Sequence, residues 1–167
     1  MTLNYKNISS EYMDWFVDLN NKNTPAVNAL SKEEMTDLVA QSELSLIAFN
    51  NLDMPLGGVV TFDEHSDYDS QNYKWFQENH NDFLYIDRII VDENALGQGV
   101  GAGLYQKIFQ HAEHMNLSAV TCEVNEIPPN PESMAFHDKM GFKQIASRFN
   151  PDHGKQIAMM YYDMKMN

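Results

Sequence analysis

Basic side chains are scarce in this sequence. Its 167 residues hold 11 Lys plus Arg against 24 Asp plus Glu, a formal net charge of −13 at pH 7. Only Arg88 and Arg148 are arginine. A protein that binds DNA or RNA regardless of sequence needs a basic footprint to neutralise phosphates, so nucleic acid is excluded as a partner of that kind. Docking on anionic membranes is disfavoured on the same ground. Cysteine is nearly absent, and a lone Cys122 rules out an internal disulfide and a cysteine-based zinc site. Apolar runs such as Leu44 to Phe49 fall far short of the roughly 18 residues that a membrane span needs. Met1 to Asn7 lacks the apolar stretch of a secretory signal, so the expected location is the cytoplasm. What the chain does have is enough apolar surface to fold: hydrophobic residues make up 43% and aromatics 11%, which excludes low-hydrophobicity disorder.

Residues 1–8 read as a short strand, followed by a helix from a Ser9 or Ser10 cap to about Asn20. Ser31 followed by Glu34 has the form of a capping box, which predicts a second helix running to about Gln41. Leu44–Asn50 and Leu56–Phe62 flank the turn Asn51-Leu52-Asp53 as a hairpin. Gly57 and Gly58 inside the return strand predict a bulge or a close backbone approach. Residues 63–82 are too long for an ordinary connection and read as a functional or partly helical insertion, acidic at its start (Asp63, Glu64, Asp67, Asp69) and rich in Tyr68, Tyr73, Trp75 and Phe76. A β-branched and aromatic strand, Phe83–Val91, leads into a glycine-rich turn over 97–103 and a helix to about Asn116. After a strand over Ser118–Val124, Pro128-Pro129 breaks the chain, and Asn130-Pro131 caps a helix that ends before Gly141. Lys143–Phe149 and Gln156–Asp163 close the chain as a hairpin. This order reads as one α/β (α+β) domain over 1–167, with one βαβ unit in a largely antiparallel setting.

The chemistry concentrates at the glycine-rich turn. A strand that feeds such a loop into a helix lets backbone N–H groups approach an anion, while the helix N-terminus adds partial positive charge; a phosphate or pyrophosphate is the natural guest. A P-loop does not fit, because Leu104-Tyr105 stand where Lys and Ser or Thr would be needed. A dinucleotide fingerprint fits formally at Gly97, Gly99 and Ala102, with Glu123 about 20 residues on as the ribose acid. The residues after Glu123, however, read as one helix and a hairpin, too little for a doubly wound sheet.

Together the motifs resemble the GNAT (GCN5-related N-acetyltransferase) superfamily. Leu96-Gly97-Gln98-Gly99-Val100-Gly101 matches the family's pyrophosphate motif, Arg/Gln-x-x-Gly-x-Gly/Ala, from its second position on. Asn130, Lys139, Gly141 and Phe142 keep the register of its second motif, and the order of elements agrees over nearly the whole chain. A predicted-acetyltransferase branch of the superfamily is similar in further detail, at Tyr68-Asp69-Ser70, Trp75-Phe76, Asp87-Arg88-Ile89 and Cys122 to Ser133.

The resemblance implies a GNAT fold, with a mixed, mostly antiparallel sheet, helices on both faces and a βαβ unit around an acetyl-CoA site. It implies that Gln98, Gly99, Val100, Gly101, Ala102 and Gly103 bind the pyrophosphate of acetyl-CoA. Ile89, Ile90 and Val91 would pair with its pantetheine arm, which Asn130 would also contact. Glu123 falls where some relatives place a general base, and its plain alternative is a solvated or ion-paired strand residue. His137 falls where others place a tyrosine acid, and its plain alternative is a helix-surface residue. Leu96 departs from the usual Arg or Gln, and two extra residues lie between Glu123 and Asn130. The expected reaction is direct acetyl transfer to the primary amine of a small molecule or peptide, the alternative being a CoA-binding module without turnover. Paired chains are common in the family, so a homodimer is compatible with the reading. The 63–82 insertion is the candidate acceptor element, holding a cation by acids and aromatic rings, or else a solvated acidic loop. No metal site is expected: Asp67-x-Asp69-x-Gln71 lacks the rest of a calcium loop, and His111 and His114 have no further ligand nearby in sequence.

Overall fold

Local chemistry sets most element boundaries. The computed structural model describes residues 1–151 and 153–166. Its strands are β1 (Asn4–Asn7), β2 (Leu44–Phe49), β3 (Pro55–Asp63), β4 (Phe83–Val91), β5 (Ala119–Ile127), β6 (Lys143–Asn150) and β7 (Lys155–Asp163). Its helices are α1 (Met13–Lys22), α2 (Lys32–Gln41), α3 (Gln71–Asn79), α4 (Val100–His114) and α5 (Pro131–Met140). The Ser31 hydroxyl accepts from the Glu34 N–H at 3.1 Å while the Glu34 carboxylate accepts from the Ser31 N–H at 2.7 Å, so the capping box starts α2 as predicted. Asn130 caps α5 by accepting from the Ser133 N–H at 3.2 Å, and Gly141 ends it in the left-handed region at φ 101°.

The strands form a seven-stranded sheet in the order β1-β2-β3-β4-β5-β7-β6. β1 with β2, β2 with β3, β5 with β7 and β6 with β7 run antiparallel. β4 and β5 run parallel, joined through α4 as the predicted βαβ unit. The chain divides into two compact units, each made of two stretches: 1–62 with 87–111, and 63–86 with 112–167. The first unit buries Phe16, Met35, Ile47, Val59 and Leu104 completely; the second does the same with Tyr73, Phe76, Phe83, Tyr85 and Met159.

Two boundaries differ from expectation. Ser9 and Ser10 do not cap α1; their carbonyls accept from Tyr12 and Met13 in a preceding turn, and the helix begins only at Met13 without a side-chain cap. β5 runs on to Ile127, three residues past the expected end, because its ladder with β7 continues through a register shift between Asn125 and Ile127. The insertion is partly helical, in line with the expectation from its length, with Ser70 capping α3 through its hydroxyl. The glycine pair in β3 marks close approach: a Cβ on Gly57 would lie 2.7 Å from the Ile90 carbonyl oxygen, and one on Gly58 would lie 2.7 Å from the Phe16 ring. Among the described residues no helix is long and apolar enough to cross a membrane.

Candidate active site

In the first unit the end of β4 delivers the chain to the glycine loop. The Asp92 carboxylate accepts from the Asn94 N–H at 2.9 Å and holds a single 3₁₀ turn over Glu93–Ala95. Gly97 and Gly99 then take φ 74° and 81°, a region glycine enters without steric cost. A Cβ at either would meet nothing within 4 Å, so these residues shape the backbone and leave the loop face open. The Gln98 side-chain amide donates to the Asn94 carbonyl at 2.9 Å, curling the loop. The opening N–H groups of α4, on Val100, Gly101 and Ala102, have no preceding helical turn to donate to, and they lie at the positive end of the helix dipole.

Gly103 has a packing part in addition to its place in the loop. Its N–H already donates to the Gly99 carbonyl at 2.9 Å. A Cβ there would run into the Tyr5 hydroxyl and approach Leu3 to 2.9 Å, so Gly103 lets β1 pack on α4. Ile90 is buried and Ile89 and Val91 are half-buried on β4. Leu96, standing for the usual Arg or Gln, is 65% exposed. The loop thus offers backbone donors and no cation of its own, a donor set that fits a pyrophosphate held by main-chain amides.

In the second unit a cluster gathers around Glu123, which is half-buried on β5. Its carboxylate accepts from the Tyr85 hydroxyl at 2.6 Å and from the Asn72 side-chain amide at 3.2 Å. The Asn72 carbonyl oxygen in turn accepts from Arg148 on β6 at 3.1 Å. Tyr85 is fully buried and Asn72 nearly so, which fixes the orientation of the carboxylate. α3 is itself pinned by Tyr73, whose hydroxyl donates to the Asp63 carbonyl and accepts from the Ser66 N–H at 3.1 Å. Burial pushes the Tyr73 phenol up to about 12, so it stays a donor at neutral pH. Thr121, two residues before Glu123 and on the same side of β5, is fully buried with a hydroxyl that has no partner among the described residues.

His137 is 6% exposed on α5 rather than at the helix surface. Its Nδ1–H donates to the Ser133 carbonyl at 2.7 Å, and its ring meets Phe142 edge-on at 5.3 Å between centroids. Burial pushes the imidazole below the ordinary histidine value, against the opposing pull of that carbonyl. The insertion's acids take local partners: Asp69 pairs with Lys74, and Asp63 accepts from the His65 N–H at 3.0 Å. His111 meets Glu43 at 2.9 Å.

Glu123 therefore sits in a built cluster, and Gln98 to Ala102 form an open glycine loop; the two lie in different units. Tyr85, Asn72 and Arg148 were not anticipated. Their contacts with the cluster span 38, 51 and 76 residues of sequence, beyond the reach of any local pattern. Scarcity was the one available signal, since Arg148 is one of two arginines in a strongly acidic chain.

No curated protein matches the chain by sequence. Solved structures do match its fold. Ard1 from Thermoplasma volcanium aligns with TM-score 0.76 at 17% identity, over 98% of both chains. The ribosomal-protein-S18-alanine N-acetyltransferase of Escherichia coli aligns with TM-score 0.72 at 14% identity, over 98% of this chain and 94% of its own. YncA from Salmonella typhimurium, solved with its cofactor acetyl-CoA, gives TM-score 0.72 at 12% identity, over 98% of this chain and 95% of its own. The model of the acetyltransferase (GNAT) family matches residues 8–142, most of the chain and both stretches that carry the loop and Glu123. The chain belongs to the acetyltransferase (GNAT) family, which uses acetyl-CoA as its acetyl donor.

Proposed function

We propose that the protein is an N-acetyltransferase that passes the acetyl group directly to the neutral amine of a small-molecule or peptide acceptor, with Glu123 as general base. The observation that carries the reading is the oriented Glu123 carboxylate, held by Tyr85 at 2.6 Å and Asn72 at 3.2 Å. Acetyl-CoA supplies an activated acetyl group, whose C–S bond breaks as the amine nitrogen bonds to the carbonyl carbon; the proton lost by nitrogen balances the one gained by sulfur. Glu123 takes that nitrogen proton, directly or through one water. Backbone N–H groups over Gln98, Gly99, Val100, Gly101 and Ala102 hold the pyrophosphate. Backbone groups of Ile89, Ile90 and Val91, with Asn130, hold the pantetheine arm.

His137 we place in support of α5 rather than in proton transfer. A neutral imidazole that gives its Nδ1 proton to the Ser133 carbonyl is not set up as the acid for a thiolate. A second reading, a CoA-binding module without turnover, is favoured by Leu96, which removes a polar contact from the pyrophosphate loop, and by His137, which stands where relatives place a tyrosine acid.

Release of free thiol from acetyl-CoA, followed across a panel of amines, separates the two readings. Glu123→Gln should lower kcat by about 100-fold or more, the usual scale for a lost general base, with acetyl-CoA affinity unchanged. Unchanged turnover in that variant would remove Glu123 from the reaction. Tight acetyl-CoA binding without thiol release on any amine would favour the binding module.

A further inference from the structure

The two arginines of this chain are held in opposite ways. Arg88, 7% exposed, donates through Nε to Asp87 and through an Nη to Asn20, each at 2.7 Å. Arg148 donates through one Nη alone, to the Asn72 side-chain oxygen at 3.1 Å and the Gln71 carbonyl at 3.3 Å. Both acceptors are neutral. Among the described residues no carboxylate pairs with this guanidinium, although the chain carries 24 acids. Among the described residues its Nε and second Nη have no acceptor, and they form the edge that grips a carboxylate by two parallel hydrogen bonds.

Asn72 ties this guanidinium to the base. One amide side chain donates to Glu123 at 3.2 Å and accepts from Arg148 at 3.1 Å, so a proton-accepting carboxylate and an anion-accepting guanidinium are fixed with respect to each other. We propose that Arg148 is the anion-binding group of the acceptor site, and that the acceptor is an amine that also carries a carboxylate. This inference rests on the reading of Glu123 as the base. The span from Glu123 through the amide to Arg148 suits an acceptor longer than an α-amino acid, such as an ω-amino acid or a dipeptide with a free C-terminus. A net charge of −13 favours such a zwitterion over a phosphate-bearing dianion, because long-range repulsion grows with the charge of the guest. The contact also gives the insertion a role in recognition: through Asn72 it aims the guanidinium, whereas its acids would serve a cationic acceptor.

Two measurements on the full chain test this. The first is thiol release with matched acceptors: β-alanine, 4-aminobutyrate and alanylglycine against their carboxamides. The acids should be preferred about tenfold or more in kcat/KM, the scale of a charge-assisted fork, and Arg148→Gln should erase that preference chiefly through KM. The second needs no turnover. Arg88 is buried, so phenylglyoxal should modify Arg148, read by mass spectrometry, and N-acetyl-alanylglycine should slow the reaction several-fold while its carboxamide does not. Equal protection by acid and carboxamide, or a preference that survives in Arg148→Gln, would overturn the anion site. If Glu123→Gln retains turnover while the acid preference and the protection persist, the base has been misassigned and the anion site stands. If that variant loses turnover but acid and carboxamide behave alike, the base stands and the anion site falls.

Discussion

At the scale of single residues, burial decides what each polar group can do. His137 is neutral in the fold because burial disfavours its charged form. Its folded pKa therefore lies below its unfolded value, and as pH falls through about 6.5 the unfolded chain takes up a proton that the folded chain refuses. That contribution to stability is complete above 6.5, declines as pH falls below it, and levels off once pH passes the folded pKa. Urea midpoints measured between pH 7 and 5 should drop more steeply for the native protein than for His137→Asn. Thr121 is the converse case, a buried hydroxyl with no partner among the described residues. Thr121→Val keeps the shape and removes the orphaned group, so it should leave stability unchanged or raise it by about 1 kcal/mol in equilibrium unfolding. A clear loss of stability would show that the hydroxyl is satisfied in solution.

At the scale of elements, close packing matters as much as hydrogen bonding. Gly57 brings β3 against the Ile90 carbonyl, and both the carbonyl and the neighbouring Val91 Cα are backbone atoms that cannot rotate aside. Gly57→Ala should cost about 1–3 kcal/mol of stability and, by displacing Ile89 to Val91, should weaken acetyl-CoA binding in calorimetry. Elements signalled by contiguous residues were legible in the sequence. The Ser31 capping box, the strand–loop–helix at Gly97 and Gly99, and the Asn130–Gly141 helix all follow from chemistry within a turn or two of chain. α1 was misjudged at its start because serine carbonyls, not serine hydroxyls, engage there. The base candidate Glu123 was legible through the family motif, but its supports were not. Tyr85 and Asn72 meet it, and Arg148 meets Asn72, only through tertiary folding; the acids of 63–82 stand out in the sequence, whereas the insertion residue that reaches Glu123 is an amide.

At the scale of the whole molecule, the charge of −13 opposes the approach of an anionic donor even though the loop proposed to receive it is built of amide dipoles. Raising ionic strength from about 0.01 to 0.15 M shortens the screening length from about 30 to 8 Å. The association rate of acetyl-CoA, followed by stopped-flow fluorescence, should therefore rise with salt, the reverse of a protein with a basic footprint. The division into two units adds a constraint of another kind. Each unit is assembled from two separated stretches, 1–62 with 87–111 and 63–86 with 112–167. No single cut in the gene can release either unit whole and alone. On the ribosome, every residue of the first unit is synthesised before the last stretch of the second, so the glycine loop leaves the ribosome ahead of the strand that carries Glu123.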